Sequence, residues 1–465
     1  MKSLDLINKN IHFIGIAGSG MIALAQYLRT WGRCKITGSE IRETSASKDL
    51  LLQGINISFS HHEDNVKDAH IIVYSSAISD TNPELFYAKK NKIPCYSRGE
   101  FLAKLMSLYQ RQIVIAGTHG KTTTTGMLIH ILDAAGVTPS FMIGGELPPY
   151  HINGRFSESS TFIAESDESD GSFLLLNPSH VILNNLESEH LHFYKTSEKL
   201  FQAFNTFIQN AITHNTKIAI NYDDKNLLDL VKNVDSNSFV SFSINDKNAD
   251  FSAHNIVFNE NSSSFDLYHN NTFEGSIILE LIGLHNIYNA LAACSLASIF
   301  GISMTSIQQG LSNFSGVKRR IQPIYRYNNI QIYDDYGHHP TEIQATLDGL
   351  KKSKKSPIIC IFQPHRYSRV KEHMNDFYFS FSHADRVLIT PIYSANEVND
   401  DDTLLETMIA GIQQHSECHV SFFNSFDDVI YNLLKTLKTG DIVITMGAGD
   451  IYKVSHELAT HYQNL

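Results

Sequence analysis

The chain has no long basic run. Its 465 residues carry 37 lysines and arginines against 48 aspartates and glutamates, a formal net charge of −11. This argues against nucleic acid, or an anionic membrane surface, as the main partner. No apolar stretch approaches the roughly 18 residues of a membrane helix. The polar, acid-containing start Met1-Lys-Ser-Leu-Asp-Leu-Ile-Asn-Lys-Asn10 does not have the pattern of a signal peptide. Cysteine is sparse: positions 34, 95, 294, 360 and 418, odd in number and without a C-x-x-C pair. Buried reduced thiols in a soluble cytoplasmic protein are expected, not a disulfide framework or a zinc site. There is no internal repeat and no low-complexity segment. What remains is an ordinary globular composition, 42% hydrophobic and 18% charged, in a chain long enough for about three domains.

The most informative stretch is 112–126, Gln-Ile-Val-Ile-Ala-Gly-Thr-His-Gly-Lys-Thr-Thr-Thr-Thr-Gly. The apolar run over 113–116 predicts a buried strand, Gly117 and Gly120 a tight turn, and the apolar spacing from Lys121 onward a helix. Strand, glycine turn, Lys-Thr and helix make a phosphate cradle. Backbone N–H groups and the helix N-terminus face the anion, the lysine reaches the β/γ-phosphates, and a threonine hydroxyl can hold Mg²⁺. The spacing departs from the usual P-loop, because position 115, where its first glycine should fall, is isoleucine.

Upstream, 11–14 reads as a strand, Gly15-Ile-Ala-Gly-Ser-Gly20 as a second glycine turn, and 21–30 as a helix. A strand over 34–40 ends in Glu40, about 20 residues past the loop, where nucleotide folds keep a ribose-binding carboxylate. The strand starting at His70 runs into Ser75 and Ser76, and His62 lies in a loop between strands. Downstream, a strand over 161–164 opens into Glu165-Ser-Asp-Glu-Ser-Asp170, and one over 181–183 leads to Asn184-Asn-Leu-Glu-Ser-Glu-His190. Acids straight after a strand suit metal binding or water positioning beside a nucleotide. Residues 250–282 alternate as hairpins at a sheet edge. Leu281-Ile-Gly-Leu-His-Asn-Ile-Tyr-Asn-Ala-Leu-Ala-Ala-Cys294 opens a helix that puts His285 and Asn289 on one face.

After a basic joint near 316–320, strands and helices alternate again, predicting a second small doubly wound sheet. Three of its strand ends carry polar clusters, where open α/β sheets place their ligands. These are Asp334-Asp-Tyr-Gly-His-His-Pro-Thr-Glu342, Gln363-Pro-His-Arg-Tyr-Ser-Arg369 and Thr445-Met-Gly-Ala-Gly-Asp450. If 366–369 begins a helix, Arg366 and Arg369 share one face.

Gly117-Thr-His-Gly-Lys-Thr-Thr resembles the ATP loop of the Mur ligases, the ATP-dependent amide-bond formers of peptidoglycan synthesis. The order Gly-Ile-x-Gly-x-Gly-Met, Thr-Gly-Ser-acid, Ser-Ser-Ala resembles that family's uridine-nucleotide domain, and the later clusters follow in the family's order from Gly15 to about Ile451. The resemblance implies three α/β domains: a Rossmann-like UDP-sugar domain over 1–107, a P-loop-type ATP domain over 108–316, and a Rossmann-like domain over 317–465. It implies ATP and Mg²⁺, with UDP-N-acetylmuramate and L-alanine as substrates and an acyl-phosphate intermediate. The oligomeric state, monomer or dimer, is left open.

The implied roles run along the chain. Gly18, Ser19, Gly20, Met21, Glu40, His62, Ser75 and Ser76 hold the UDP-sugar. Gly117, Thr118, His119, Gly120, Lys121, Thr122 and Thr123 cradle ATP, with His285, Asn286, Asn289, Arg320 and Asp335 completing its site. Thr122, Glu165 and His190 bind metal, although Glu189 stands where relatives commonly carry aspartate. His119 lies near the reacting carboxylate, Lys121 and Arg320 meet phosphate, and Tyr336, His338, Arg366 and Arg369 line the alanine end. The basic joint implies open and closed states. The nearest rival is the recycling ligase that joins L-Ala-γ-D-Glu-meso-diaminopimelate to the same UDP-sugar. An NAD-dependent oxidoreductase built on Gly15–Gly20 leaves the Lys121 loop unexplained. A non-enzymatic nucleotide-binding regulator leaves the charged clusters elsewhere without a purpose.

Overall fold

The computed structural model describes residues 5–463 apart from 328, 355 and 396, with the backbone alone at 192 and 327. Three sheets follow one another along the chain. The first is β1 (Asn10–Ile14), β2 (Lys35–Ser39), β3 (Asn56–Ser58), β4 (Ile71–Tyr74) and β5 (Cys95–Ser97), all parallel, in the order β3-β2-β1-β4-β5. The order reverses between β1 and β4, and open sheets of this kind bind ligands at that switch point. Gly15 and Ser75 leave β1 and β4 there.

The second sheet has β6 (Arg111–Ala116), β7 (Ser140–Leu147), β8 (Ile152–Arg155), β9 (Thr161–Glu165), β10 (His180–Leu183), β11 (Lys217–Asn221) and β12 (Phe239–Ser243). The expected hairpin region supplies β13 (Phe251–Phe258), β14 (Ser263–His269) and β15 (Thr272–Leu279). They end the ten-strand order β15-β14-β13-β12-β11-β10-β6-β9-β7-β8 at one edge, as the alternating pattern predicts. β6 lies between β10 and β9, parallel to both. Its strand end is thus flanked by the two acid-bearing segments that follow β9 and β10.

The third sheet joins β16 (Gln322–Tyr327), β17 (Ile330–Asp335), β18 (Ile358–Phe362), β19 (Arg386–Ile389), β20 (His419–Phe422) and β21 (Ile442–Met446), in the order β16-β17-β21-β18-β19-β20. Only β16 runs antiparallel to its neighbour. Alternation along a strand sends neighbouring side chains to opposite faces. Accordingly Ile358, Cys360 and Phe362 join the core on one face, and Ile359 and Ile361 the core on the other. A strand buried on both faces needs an unbroken apolar run, which this one has.

Contacts divide the chain into two units. One holds Met1–His254, Asp266–Ile277 and Tyr288–Phe314; the other holds Asn255–Phe265, Ile278–Ile287 and Ser315–Leu465. In the first, one apolar core runs from Phe13, Leu24 and Phe101 to Val114, Phe162 and Phe204, fusing the first two sheets. All five cysteines are free; Cys294, Cys360 and Cys418 are buried, whereas Cys34 and Cys95 are only half-buried. No helix among the described residues is long and apolar enough to cross a membrane.

Candidate active site

β6 is buried at its C-terminal end, and Ile115 is a strand residue with no exposed surface. The glycine expected at 115 is absent because the chain is still in the sheet there, and the turn begins two residues later. Gly117 has φ +132°, and a Cβ on it would stand 2.9 Å from the Asn185 carbonyl oxygen. Gly120, at φ +78°, caps helix Lys121–Ala134, and a Cβ there would stand 2.3 Å from Asn289 Oδ1. No other side chain fits either position.

Three asparagines hold this loop. The His119 N–H donates to Asn185 Oδ1 (2.7 Å), and Asn184 Nδ2 donates to Thr124 Oγ1 (3.0 Å). Thr124 Oγ1 in turn donates to Asn289 Oδ1 at 3.2 Å. Asn289 is thus placed under the phosphate loop. The Thr118 hydroxyl accepts from the Glu187 N–H at 2.8 Å, the His119 ring approaches Glu187 Oε2 at 3.3 Å, and Thr123 is buried.

Lys121 folds back into its own loop. Its Nζ donates to the carbonyls of Gly117 (2.5 Å) and Thr118 (3.0 Å) and to both oxygens of Glu168, each at 2.9 Å. Burial favours loss of the proton, but Glu168, with Asp167 and Glu189 behind it, outweighs burial and holds the ammonium above its ordinary pKa. His190, at φ +60°, sets Nε2 3.5 Å from Glu168 and 3.6 Å from Glu189. Its pKa is raised too, burial being outweighed by the two carboxylates. One donor atom each from Glu168, Glu189 and His190 lies within 4.8 Å of the others, a spacing that fits a divalent cation. Two hard carboxylates beside a phosphate loop suit Mg²⁺. Thr122 and Glu165 form a separate pair: Thr122 Oγ1 donates to Glu165 Oε2 (3.0 Å), and the Gly144 N–H donates to Oε1 (2.6 Å). The three expected metal residues therefore fall into two groups, and Glu168 and Glu189 join the second.

In the first sheet's domain, helix Ser19–Trp31 begins at Gly18 with no side-chain cap, leaving its first N–H groups open to an anion. Met21 is buried. Glu40 accepts from the N–H groups of Ala17 (3.1 Å) and Ile41 (2.9 Å), so it braces the glycine turn from behind. Ser75 is half-buried and Ser76 exposed. His62 is exposed and caps Asp64. Its neighbour His61 points inward to a fully buried carboxylate, Glu84, at 3.0 Å, and Glu84 also accepts from Ser39 (2.6 Å) and Asn65 (2.6 Å). Beside them, burial lowers the His12 pKa to about 4 against the pull of Glu84.

The second unit carries the other charged cluster. Asp335 is 4% exposed, and its carboxylate accepts from the N–H groups of Ile321 and Gly337, both at 2.7 Å. Burial raises its pKa to about 6, against the opposing pull of Arg320. Arg319 donates to Asp334 (2.9 Å) and lies over the rings of Tyr336 (5.1 Å) and Tyr452 (4.8 Å). Arg320 pairs with Glu342 at 3.5 Å. His285 is pushed down to about 4 by burial and by Arg320, while Asn286 Nδ2 closes onto the Ile282 carbonyl. His338 and His365 meet edge to face at 5.6 Å, and His365 stacks on Tyr393. Arg369 Nη1 donates to His365 Nδ1 at 3.1 Å, and burial followed by its cationic neighbours takes the His365 pKa to about 2. Arg366, at φ +69°, precedes helix Tyr367–Glu372, so it stands at the helix start and Arg369 within it.

Three residues here were not legible as site candidates. Glu168 and Glu189 lie in segments recognised as acidic, but spacing does not say which carboxylate turns inward. Arg98, distant in sequence, donates through Nη2 to Asp167 (2.9 Å), Asp170 (3.1 Å) and Ser172 (3.3 Å) of the acidic loop.

A glycine-capped phosphate loop flanked by acids, on the sheet that follows a nucleotide-type domain, defines an ATP-dependent ligase of the Mur type. Residues 10–110 match the family profile described as Mur ligase family, catalytic domain; 115–297 match the Mur ligase middle domain; and 319–449 match the Mur ligase, glutamate ligase domain. The chain belongs to the Mur ligase family. It is 38% identical to the UDP-N-acetylmuramate–L-alanine ligase of Clostridium novyi over 447 residues, covering 96% of each chain. It is also 38% identical to the enzyme of that name from Geobacter sp. (strain M21), covering 97% of each. The solved UDP-N-acetylmuramate–alanine ligase of Thermotoga maritima superposes with a TM-score of 0.84 at 25% identity, over 98% of this chain and 100% of that one. A murein peptide ligase from Psychrobacter arcticus gives 0.70 at 26% identity, over 98% and 99%.

Proposed function

We propose that the protein is an ATP-dependent ligase that adds L-alanine to the lactyl carboxylate of UDP-N-acetylmuramate, releasing ADP and phosphate, in cytoplasmic synthesis of peptidoglycan precursors. The observation that carries this reading is the near-full-length 38% identity to ligases of that name, together with the phosphate loop closed on Lys121. The recycling ligase is the weaker reading, since the murein peptide ligase superposes less well than the alanine ligase.

The chemistry follows from charge. Carboxylate and γ-phosphoryl group are both anionic, so the first step requires positioning and neutralisation more than covalent help. Gly117–Thr123 wraps the phosphates, which take the backbone N–H groups at the helix start, Gly120 to Thr123, and Lys121 exchanges Glu168 for the β/γ-oxygens. Glu168, Glu189 and His190 would hold one Mg²⁺, and Thr122 and Glu165 another, which would supply charge neutralisation for the phosphates. His119, oriented by Glu187, faces the substrate carboxylate. That carboxylate attacks the γ-phosphorus to give an acyl phosphate and ADP. The neutral amine of alanine then attacks the acyl carbon, and phosphate leaves from the tetrahedral intermediate.

Arg366 and Arg369 bind the alanine carboxylate, Tyr336 and His338 line the same end, and Arg320 and Asp335 act on the nucleotide. Gly18–Met21, Glu40, His62, Ser75 and Ser76 serve the UDP-sugar. Incubation with ATP, Mg²⁺ and UDP-N-acetylmuramate tests this, with L-alanine compared against L-Ala-γ-D-Glu-meso-diaminopimelate. A product heavier by one alanyl residue supports the reading; turnover only with the tripeptide rejects it.

A further inference from the structure

Arg98 is fixed at the first position of helix Arg98–Met106 by a capping box. The Ser97 hydroxyl accepts from the Glu100 N–H, and the Ser97 N–H donates to the Glu100 carboxylate. From there its side chain lies along Gly20 in the first glycine turn. A Cβ on Gly20 would stand 2.8 Å from Arg98 Cδ and 3.1 Å from Nη1, so the absence of that side chain makes room for the guanidinium. Nη2 makes the three bonds to Asp167, Asp170 and Ser172, whereas Nη1 and Nε have no protein partner among the described residues. A cavity of about 110 Å³ opens beside them, lined by Ser19, Gly20, Lys121, Gly144, Glu165 and Asp167.

The cavity wall joins the nucleotide turn to the phosphate loop, and two of its lining residues are acids. Glu165 and Asp167 on this wall repel an anion, and Lys121, which also lines the cavity, is already paired with Glu168. Arg98 lines the same cavity, with Nη1 and Nε beside Gly20. We propose, resting on the functional reading above, that Arg98 positions the sugar nucleotide. Nη1 and Nε take an anionic oxygen of the substrate beside Gly20, while Nη2 stays on Asp167, Asp170 and Ser172 and keeps the guanidinium in place. A planar fork can serve two such partners at once, which a lysine ammonium on a flexible stem does poorly.

The test is calorimetric binding of UDP-N-acetylmuramate and, separately, of ADP with Mg²⁺, to the full chain and to Arg98→Met and Arg98→Lys. Loss of a charge-assisted contact predicts UDP-sugar binding weakened by at least about tenfold in Arg98→Met, on the scale of such bonds. Arg98→Lys falls in between, and ADP binding stays within about threefold. UDP-sugar affinity unchanged in both variants overturns the proposal. So does a parallel loss of ADP affinity, which marks Arg98 as a strut only. Should the unaltered protein fail to bind the UDP-sugar, the functional reading falls first and this inference with it.

Discussion

Lys121 Nζ lies 2.9 Å from each carboxylate oxygen of Glu168, so the cation proposed to bind phosphate is neutralised by a carboxylate of its own site. A buried cation of this kind is costly without a partner, and Glu168 supplies one. Removing Glu168 therefore has two effects. Glu168→Gln leaves Lys121 without its anion and removes a candidate metal ligand. We expect kcat to fall by about 10²-fold or more, with a raised Mg²⁺ requirement and UDP-sugar affinity within twofold of the parent. Steady-state rates across a Mg²⁺ titration measure this, and a normal Mg²⁺ dependence would contradict it.

Gly120 and Asn289 predict a steric effect. Gly120→Ala places a methyl against Asn289 Oδ1 and forces a side chain into left-handed backbone. The expected outcome is ATP KM raised about tenfold or more and a stability loss of about 1–3 kcal/mol. Asn289→Ser in the same chain relieves the contact but not the backbone strain, so stability recovers only in part. Full recovery in urea titrations would show that the strain is absent.

The second unit gives opposing pH dependences. The His285 pKa falls to about 4 in the folded chain. The native state then binds fewer protons than the unfolded chain between about pH 4 and 6.5, so this group's stabilisation is present above that window and lost as pH falls through it. Asp335 is raised to about 6. Its contribution is present below the ordinary carboxylate range and lost as pH rises through 6. Each slope is at most about 1.4 kcal/mol per pH unit. His285→Gln should flatten the acid-side decline and Asp335→Asn the opposing slope, measured as denaturant midpoints from pH 4 to 7. Slopes unchanged in both variants would contradict the assignment.

Arg369 bridges to the neutral His365 ring, which keeps its fork oriented. Arg369→Lys should raise the alanine KM by about tenfold while the KM for UDP-sugar stays within twofold. Equal changes in both would place Arg369 elsewhere in the reaction.

The frame of the site is legible in the sequence because it depends on local pattern. Ile113 to Ala116 must be a strand, Gly117 and Gly120 must turn, and the strand ends at 335, 362 and 446 must carry polar residues. What sequence does not show is which side chain turns inward. Glu165 and Glu168 are three apart in one acidic segment, yet one pairs with Thr122 and the other with Lys121. His61 and His62 are adjacent, and it is His61 that joins buried Glu84. Asn289 shares a helix face with His285 by spacing, but its amide is engaged beneath the phosphate loop. Each outcome depends on packing between segments far apart in sequence, as does the Arg98 pairing across 69 residues.

Ligation through an acyl phosphate is tested most directly by following one oxygen atom. UDP-N-acetylmuramate labelled with ¹⁸O in its lactyl carboxylate is turned over with ATP, Mg²⁺ and L-alanine, and the released phosphate is analysed by mass. The mechanism predicts one ¹⁸O in each phosphate formed, because the attacking carboxylate oxygen leaves with the phosphoryl group. Alanyl product accompanied by unlabelled phosphate would contradict it.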